Sequence, residues 1–210
     1  VAVITSMAQP LGTHIGNALE VKDAIDVLAG RTQGDLLEIS LLLGSHMLVL
    51  AEKAKTLPEA RTMLENALSS GAGLRKLAEM IAAQGGDPRV VEDLSLLPQA
   101  AVKRVMRAET AGYLSAMDTT ALGMAAQRMG AGRAKKSDML DYSVGYVLHV
   151  RLGDEVTEDT PLATLYARNE AEAEEAEKAI RKVLTIAGEK PQTPKLWDAV
   201  VTAEGIIYNR

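Results

Sequence analysis

Gln9-Pro10-Leu11-Gly12-Thr13-His14-Ile15-Gly16-Asn17-Ala18-Leu19-Glu20-Val21 is a tight loop leading into an amphipathic segment. Ahead of it stands Val1-Ala2-Val3-Ile4-Thr5, apolar and mostly β-branched, which predicts a strand covered on both faces. Pro10, Gly12 and Gly16 punctuate a turn. Asn17 is placed to cap a helix, and Glu20, three residues on, to reach back to that cap. Strand, loop and helix start together form the usual place for a ligand in an α/β sheet. A buried-type strand at the first residue has no partner before it, so the chain reads as if it began within a domain.

Composition narrows the field. The 210 residues suffice for one large domain or two small ones, and 47% apolar residues supply a core. A net charge of −5 gives no reason to expect nucleic acid as a partner, and the aromatics needed to stack bases are scarce: one Trp, five Tyr and no Phe. No apolar run approaches the length of a membrane span, so no membrane partner is expected, and a cytoplasmic protein fits best. With no cysteine, the sequence has no disulfide, thiolate nucleophile or Cys-based metal site.

Working outward from the loop, helical patterns fill the first hundred residues. Val21, Ala24, Ile25 and Leu28 recur at helical spacing up to Gly30. Residues 35–53 form an apolar helix, with Gly44-Ser45-His46 in its middle and His46 expected as a satisfied core residue. Thr56, Pro58 and Glu59 open a third helix, and residues 74–83 form a fourth. After Pro98 the pattern changes. Residues 102–106 alternate as a strand with 112–115 as the expected hairpin partner, and 119–129 form a helix ending at Gly130. Further strands are expected at 143–150, 163–167, 183–187 and 206–208. Residues 169–182 form a charged helix with Ala173, Ala176 and Ile180 as its buried line. The implied organisation is a mostly helical α/β piece over 1–99 followed by an α+β domain over 100–210.

Three constellations carry chemistry. The carbonyls of Leu11 and His14 with the carboxylate of Asp23 would make a hard-oxygen cation site, for which a weakly hydrated ion such as potassium is suited. The alternative is that Asp23 is a solvated helix-face charge and His14 a surface loop residue. Gly130-Ala131-Gly132-Arg133-Ala134-Lys135-Lys136 is a basic loop that could close over an anionic ligand with Arg133 as donor. It could equally be a helix cap followed by a solvated turn. Of the histidines, His149 lies on a strand with a structural role, and no Ser/His/Asp arrangement can be inferred.

Taken together, several motifs resemble the pyrimidine nucleoside phosphorylase and thymidine phosphorylase family. They are Gln9-Pro10-Leu11-Gly12, Gly16 to Val21, Gly44-Ser45-His46-Met47, Ala83-Gln84-Gly85-Gly86-Asp87, Leu122-Gly123-Met124-Ala125, Gly130-Ala131-Gly132-Arg133 and Val150 to Leu162. The resemblance implies reversible phosphorolysis: inorganic phosphate attacks the ribosyl C1′ of a pyrimidine nucleoside, giving free base and a pentose 1-phosphate. It implies a homodimer, a bound potassium at the positions of Leu11, His14 and Asp23, and a C-terminal α+β domain of barrel-sandwich-like form. Only the second half of the family is matched. The family's phosphate loop, catalytic histidine and base-gripping residues lie before the position of Val1, so no catalytic residue is assigned. Gly130, Gly132 and Arg133 are the candidate lid. Two alternatives stand beside this reading. The turn from Gly153 to Leu162 looks like that of biotinyl and lipoyl carrier domains, although Lys135 and Lys136 lack the carrier hairpin setting. Nucleoside-monophosphate phosphorylases share the architecture with a different substrate.

Overall fold

The computed structural model describes residues 1–209. In chain order the elements are β1 (Ala2–Thr5), β2 (His14–Ile15), α1 (Asn17–Leu28), α2 (Asp35–Leu50), α3 (Leu57–Ser69), α4 (Ala72–Ala83), β3 (Val102–Arg107), β4 (Gly112–Met117), α5 (Thr119–Ala126), β5 (Gly145–Leu148), β6 (Glu155–Val156), β7 (Pro161–Ala167), α6 (Glu170–Arg181), β8 (Leu184–Ala187), β9 (Trp197–Thr202) and β10 (Gly205–Tyr208). They divide into two compact units. One gathers Val1–Ser6, Asp23–Leu96 and the tail from Lys195; the other gathers Met7–Lys22 and Leu97–Pro194.

The first unit is mostly helical. Val27, Leu37 and Leu41 form its buried centre, with Leu36, Leu64 and Leu68 packed against them. Thr56 caps α3 by accepting from the Glu59 amide at 3.3 Å, while Glu59 Oε2 accepts from the Lys55 amide at 2.8 Å, so both ends of the expected capping pair are in use. Beside the helices lies a small antiparallel sheet in the order β1-β9-β10. This corrects the reading of the opening strand. The opening strand finds its partner after it, at the far end of the chain, with Val3 opposite Val200 and Ile4 opposite Ala199. It is also an exposed strand rather than one covered on both faces: Val1 and Ile4 are 57% and 48% exposed. His46 departs from expectation too, since its Nε2 is buried with no hydrogen-bond partner among the described residues. A cavity of about 350 Å³ is lined by Val27, Leu37, Leu41, Leu64 and Leu68. Ser40 is its one polar side chain, and its hydroxyl donates to the Leu36 carbonyl at 2.7 Å, so the lining is almost wholly apolar.

The second unit is α+β. One sheet runs β2-β5-β7-β3 and another β6-β4-β8, and every pairing is antiparallel. The expected hairpin of β3 with β4 does not form. The two strands part into different sheets, β3 pairing with β7 and β4 with β6 and β8. Along β3, Met106 turns inward to the core that holds Leu148, Leu162 and Leu165, while Val105 stays exposed. α6 lays Ala173, Ala176 and Ile180 inward at the expected spacing, and Asn169 caps it by accepting from the Glu172 amide at 2.9 Å. Tyr146 is fully buried and donates its hydroxyl to the Leu122 carbonyl at 2.8 Å, tying β5 to α5. Burial with little polar company raises that phenol's pKa well above its ordinary value.

Candidate functional site

The opening loop is built into the second unit by its backbone. Leu148 donates its amide to the Thr13 carbonyl at 2.8 Å, and His14 and Ile15 pair with Val147 and Tyr146. That approach is possible because two glycines face each other where the strands end. A Cβ on Gly145 would stand 2.1 Å from the Ile15 carbonyl oxygen, and one on Gly16 would stand 2.5 Å from that of Val144. Both have positive φ, +148° and +138°, so the backbones touch where no other residue fits.

The helix that follows starts differently from the expected cap. Gly16 is the residue before the first turn of α1, and its amide donates to Glu20 Oε1 at 3.3 Å. Glu20 therefore does reach back, but to Gly16. Asn17 is the first helical residue, and its side-chain amide instead donates to the Ala131 carbonyl at 2.8 Å. The next amide, of Ala18, donates to the Tyr142 carbonyl at 3.0 Å. The start of α1 is thus joined at two points to the segment 130–143, which carries the basic loop.

That segment leaves α5 through a wide turn (Gln127–Ala131) that Gly130 ends at φ 107°. The Gly130 carbonyl accepts from the Asp141 amide at 3.0 Å, closing the segment on itself. Asp138 Oδ2 accepts from the amides of Ala134 and Lys135 at 3.1 and 2.8 Å, and Gln127 Nε2 donates to the Arg133 carbonyl at 2.6 Å. The backbone around Arg133 is therefore ordered while its guanidinium is exposed, with no ion pair among the described residues. Gly130 and Gly132 serve the chain reversal: a Cβ on Gly132 would press on the Gln127 side chain at 3.1 Å.

The expected cation ligands are distributed as follows. Leu11 and His14 lie in the second unit, Leu11 in the loop and His14 at the start of β2 with its Nδ1 2.9 Å from Thr13 Oγ1. Asp23 lies in the first unit and is only 4% exposed, so it is not the solvated charge of the alternative reading. Among the described residues no group of three or more His, Asp or Glu side chains could hold a metal ion. His149 lies on the β5 side, with Nε2 2.8 Å from Thr164 Oγ1, and burial lowers its pKa. Sequence reasoning missed Arg151. Its guanidinium Nη1 donates to the Pro10 carbonyl at 2.7 Å and to Gly12 at 3.4 Å, and Nη2 to Leu11 at 3.5 Å. The adjacent Gly153-Asp154 turn holds the Arg151 backbone, but nothing local in the sequence points to the loop that its side chain reaches.

The sequence is similar to that of known proteins. Residues 113–187 match the family model described as the pyrimidine nucleoside phosphorylase C-terminal domain. The chain is 46% identical over 204 residues to the pyrimidine-nucleoside phosphorylase of Bacillus subtilis, covering 96% of this chain and 46% of that protein. It is 45% identical over 195 residues to that of Geobacillus stearothermophilus, covering 93% of this chain and 45% of the relative. The Staphylococcus aureus (strain USA300) protein of the same name is 41% identical over 201 residues. The chain therefore spans about half the length of the curated relatives it matches. Over the part that it spans, the chain is similar in sequence to the pyrimidine-nucleoside phosphorylases.

Proposed function

We propose that the protein works as a pyrimidine nucleoside phosphorylase, a pentosyltransferase. An oxygen of inorganic phosphate forms a bond to C1′ of uridine, thymidine or deoxyuridine as the bond from C1′ to the base breaks. The base leaves with a proton and the sugar leaves as its 1-phosphate. What carries the proposal is similarity over nearly the whole chain, which takes in both the 9–21 junction and the 130–143 segment. No residue of 1–209 is given the bond-breaking step, and the chain alone is expected to leave uridine intact.

The part assigned to these residues is support and closure. The 9–16 loop and the start of α1 hold backbone dipoles in place, which is electrostatic preorganisation for a reaction between phosphate and an oxocarbenium-like sugar. Arg133, displayed on a glycine-flanked segment, is a forked donor for an anionic ligand. The carbonyl oxygens of Leu11 and His14 with the carboxylate of Asp23 are hard donors of the kind potassium takes, and the ion would add positive charge at the loop. A barrel-sandwich-like arrangement of the second unit, a homodimeric assembly and a cytoplasmic setting complete the proposal.

The test is a chimera in which this chain replaces the matching part of the Bacillus subtilis enzyme. Arg133→Ala in that chimera is expected to lower kcat/KM for uridine phosphorolysis by roughly tenfold or more, the scale of one charge-assisted hydrogen bond lost. Unchanged kinetics would remove Arg133 from the site.

A further inference from the structure

Three consecutive carbonyls, those of Pro10, Leu11 and Gly12, converge on the guanidinium of Arg151. Carbonyl dipoles gathered in this way repel one another unless a cation lies among them, and the same arrangement draws weakly hydrated monovalent ions. Arg151 is delivered to them from a fixed base. Its amide donates to Asp154 Oδ2 at 2.8 Å and its carbonyl accepts from the Asp154 amide at 3.1 Å. That turn is held in turn by β4, since Leu114 donates to the Asp154 carbonyl and accepts from Gly153, both at 2.9 Å. The neighbouring Leu152 amide donates to Gln9 Oε1 at 2.9 Å, so two adjacent residues grip the same loop. A planar fork with five N–H groups can serve several acceptors at once, which a lysine ammonium on a flexible stem does less well.

We propose that Arg151 is a positioning residue that acts as the loop's internal cation: its guanidinium braces the Pro10–Leu11–Gly12 carbonyl cluster. The inference goes beyond the phosphorylase reading and stands or falls without it. Its consequence is that the loop keeps its shape with or without potassium while Arg151 is present, and comes to depend on an added cation when Arg151 is removed.

The experiment is amide hydrogen exchange of residues 9–16 in the protein, followed by mass spectrometry in tetramethylammonium, potassium and methylguanidinium buffers, with β5 and β7 amides as the folding control. In the unaltered protein, exchange of the loop is expected to agree within about twofold across the buffers. In Arg151→Ala it is expected to accelerate by about tenfold or more in tetramethylammonium and to recover in potassium or methylguanidinium, with the β5 and β7 amides unmoved. Arg151→Lys, which keeps the charge without the fork, is expected to lie between them and to slow when potassium is added. The proposal is overturned if the loop of Arg151→Ala exchanges as in the unaltered protein, or if it accelerates and neither cation restores it. If Arg151→Ala does not fold, the lysine variant decides: a loop indistinguishable from the unaltered protein in every buffer overturns the proposal. None of these readouts depends on turnover of nucleoside, so failure here is distinct from failure of the phosphorylase reading.

Discussion

Gly145 is a residue whose identity is fixed by a distance. A methyl group there would overlap the Ile15 carbonyl oxygen at 2.1 Å, on a backbone already at φ +148°. Gly145→Ala is expected to cost about 3 kcal/mol or more, combining strain with displacement of β2, measurable as a fall in midpoint on urea unfolding. Tyr146 next to it poses a milder question. Tyr146→Phe keeps the buried ring and leaves the Leu122 carbonyl without its donor, so a loss of about 1–2 kcal/mol is expected in the same experiment. Glu177 is governed by charge. Burial pushes its carboxyl up, but hydrogen bonds from Arg104 Nε at 2.6 Å and Arg181 Nη2 at 2.9 Å outweigh this and hold it below its ordinary value of 4.5. A carboxyl lowered in the folded state stabilises the fold above its unfolded value, and that stability is lost as the pH falls through the folded value. Glu177→Gln should therefore weaken the protein at neutral pH and flatten the decline in stability below about pH 4.5, as followed by thermal melts across pH.

At the scale of elements, helices were more legible than strand partners. The line Ala173, Ala176 and Ile180 and the Asn169 cap declare α6 within a single window of sequence. Thr56 and Glu59 do the same for α3, and Thr56→Ala is expected to lower stability by about 1 kcal/mol in thermal unfolding, the usual worth of a cap. Strand pairing is set by neighbours distant in sequence, which explains the failed hairpin: β3 and β4 follow one another along the chain, yet Arg104 lies opposite Leu165 and Leu114 opposite Ile186. β1 was read as covered because Val and Ile are common to buried and edge strands alike, and its partner β9 lies almost two hundred residues away. β9 itself was missed, although Trp197 and the Ala199-Val200-Val201-Thr202 run carry strong strand residues, because it follows Pro191 and Pro194 in what resembles a loop. The site behaved likewise. Its glycines and Arg133 could be found as a motif, whereas Arg151 touches a loop 141 residues before it and only the fold brings them together.

For the whole molecule, the proposed function gives these residues a supporting part: a braced loop, a helix start and a basic segment beside a phosphate-dependent pentosyl transfer. None of the described helices is long and apolar enough to cross a membrane. The cavity among the helices has an almost wholly apolar lining, and the proposal places its supporting part at the 9–21 and 130–143 segments instead. The most direct test is the initial rate of uracil release from uridine by the chimera with the Bacillus subtilis enzyme, measured as phosphate is varied. The account predicts a rate that is absent without phosphate, saturates as phosphate rises, and yields one ribose 1-phosphate for each uracil. A folded chimera that releases no uracil, or releases it at a rate independent of phosphate, would contradict it.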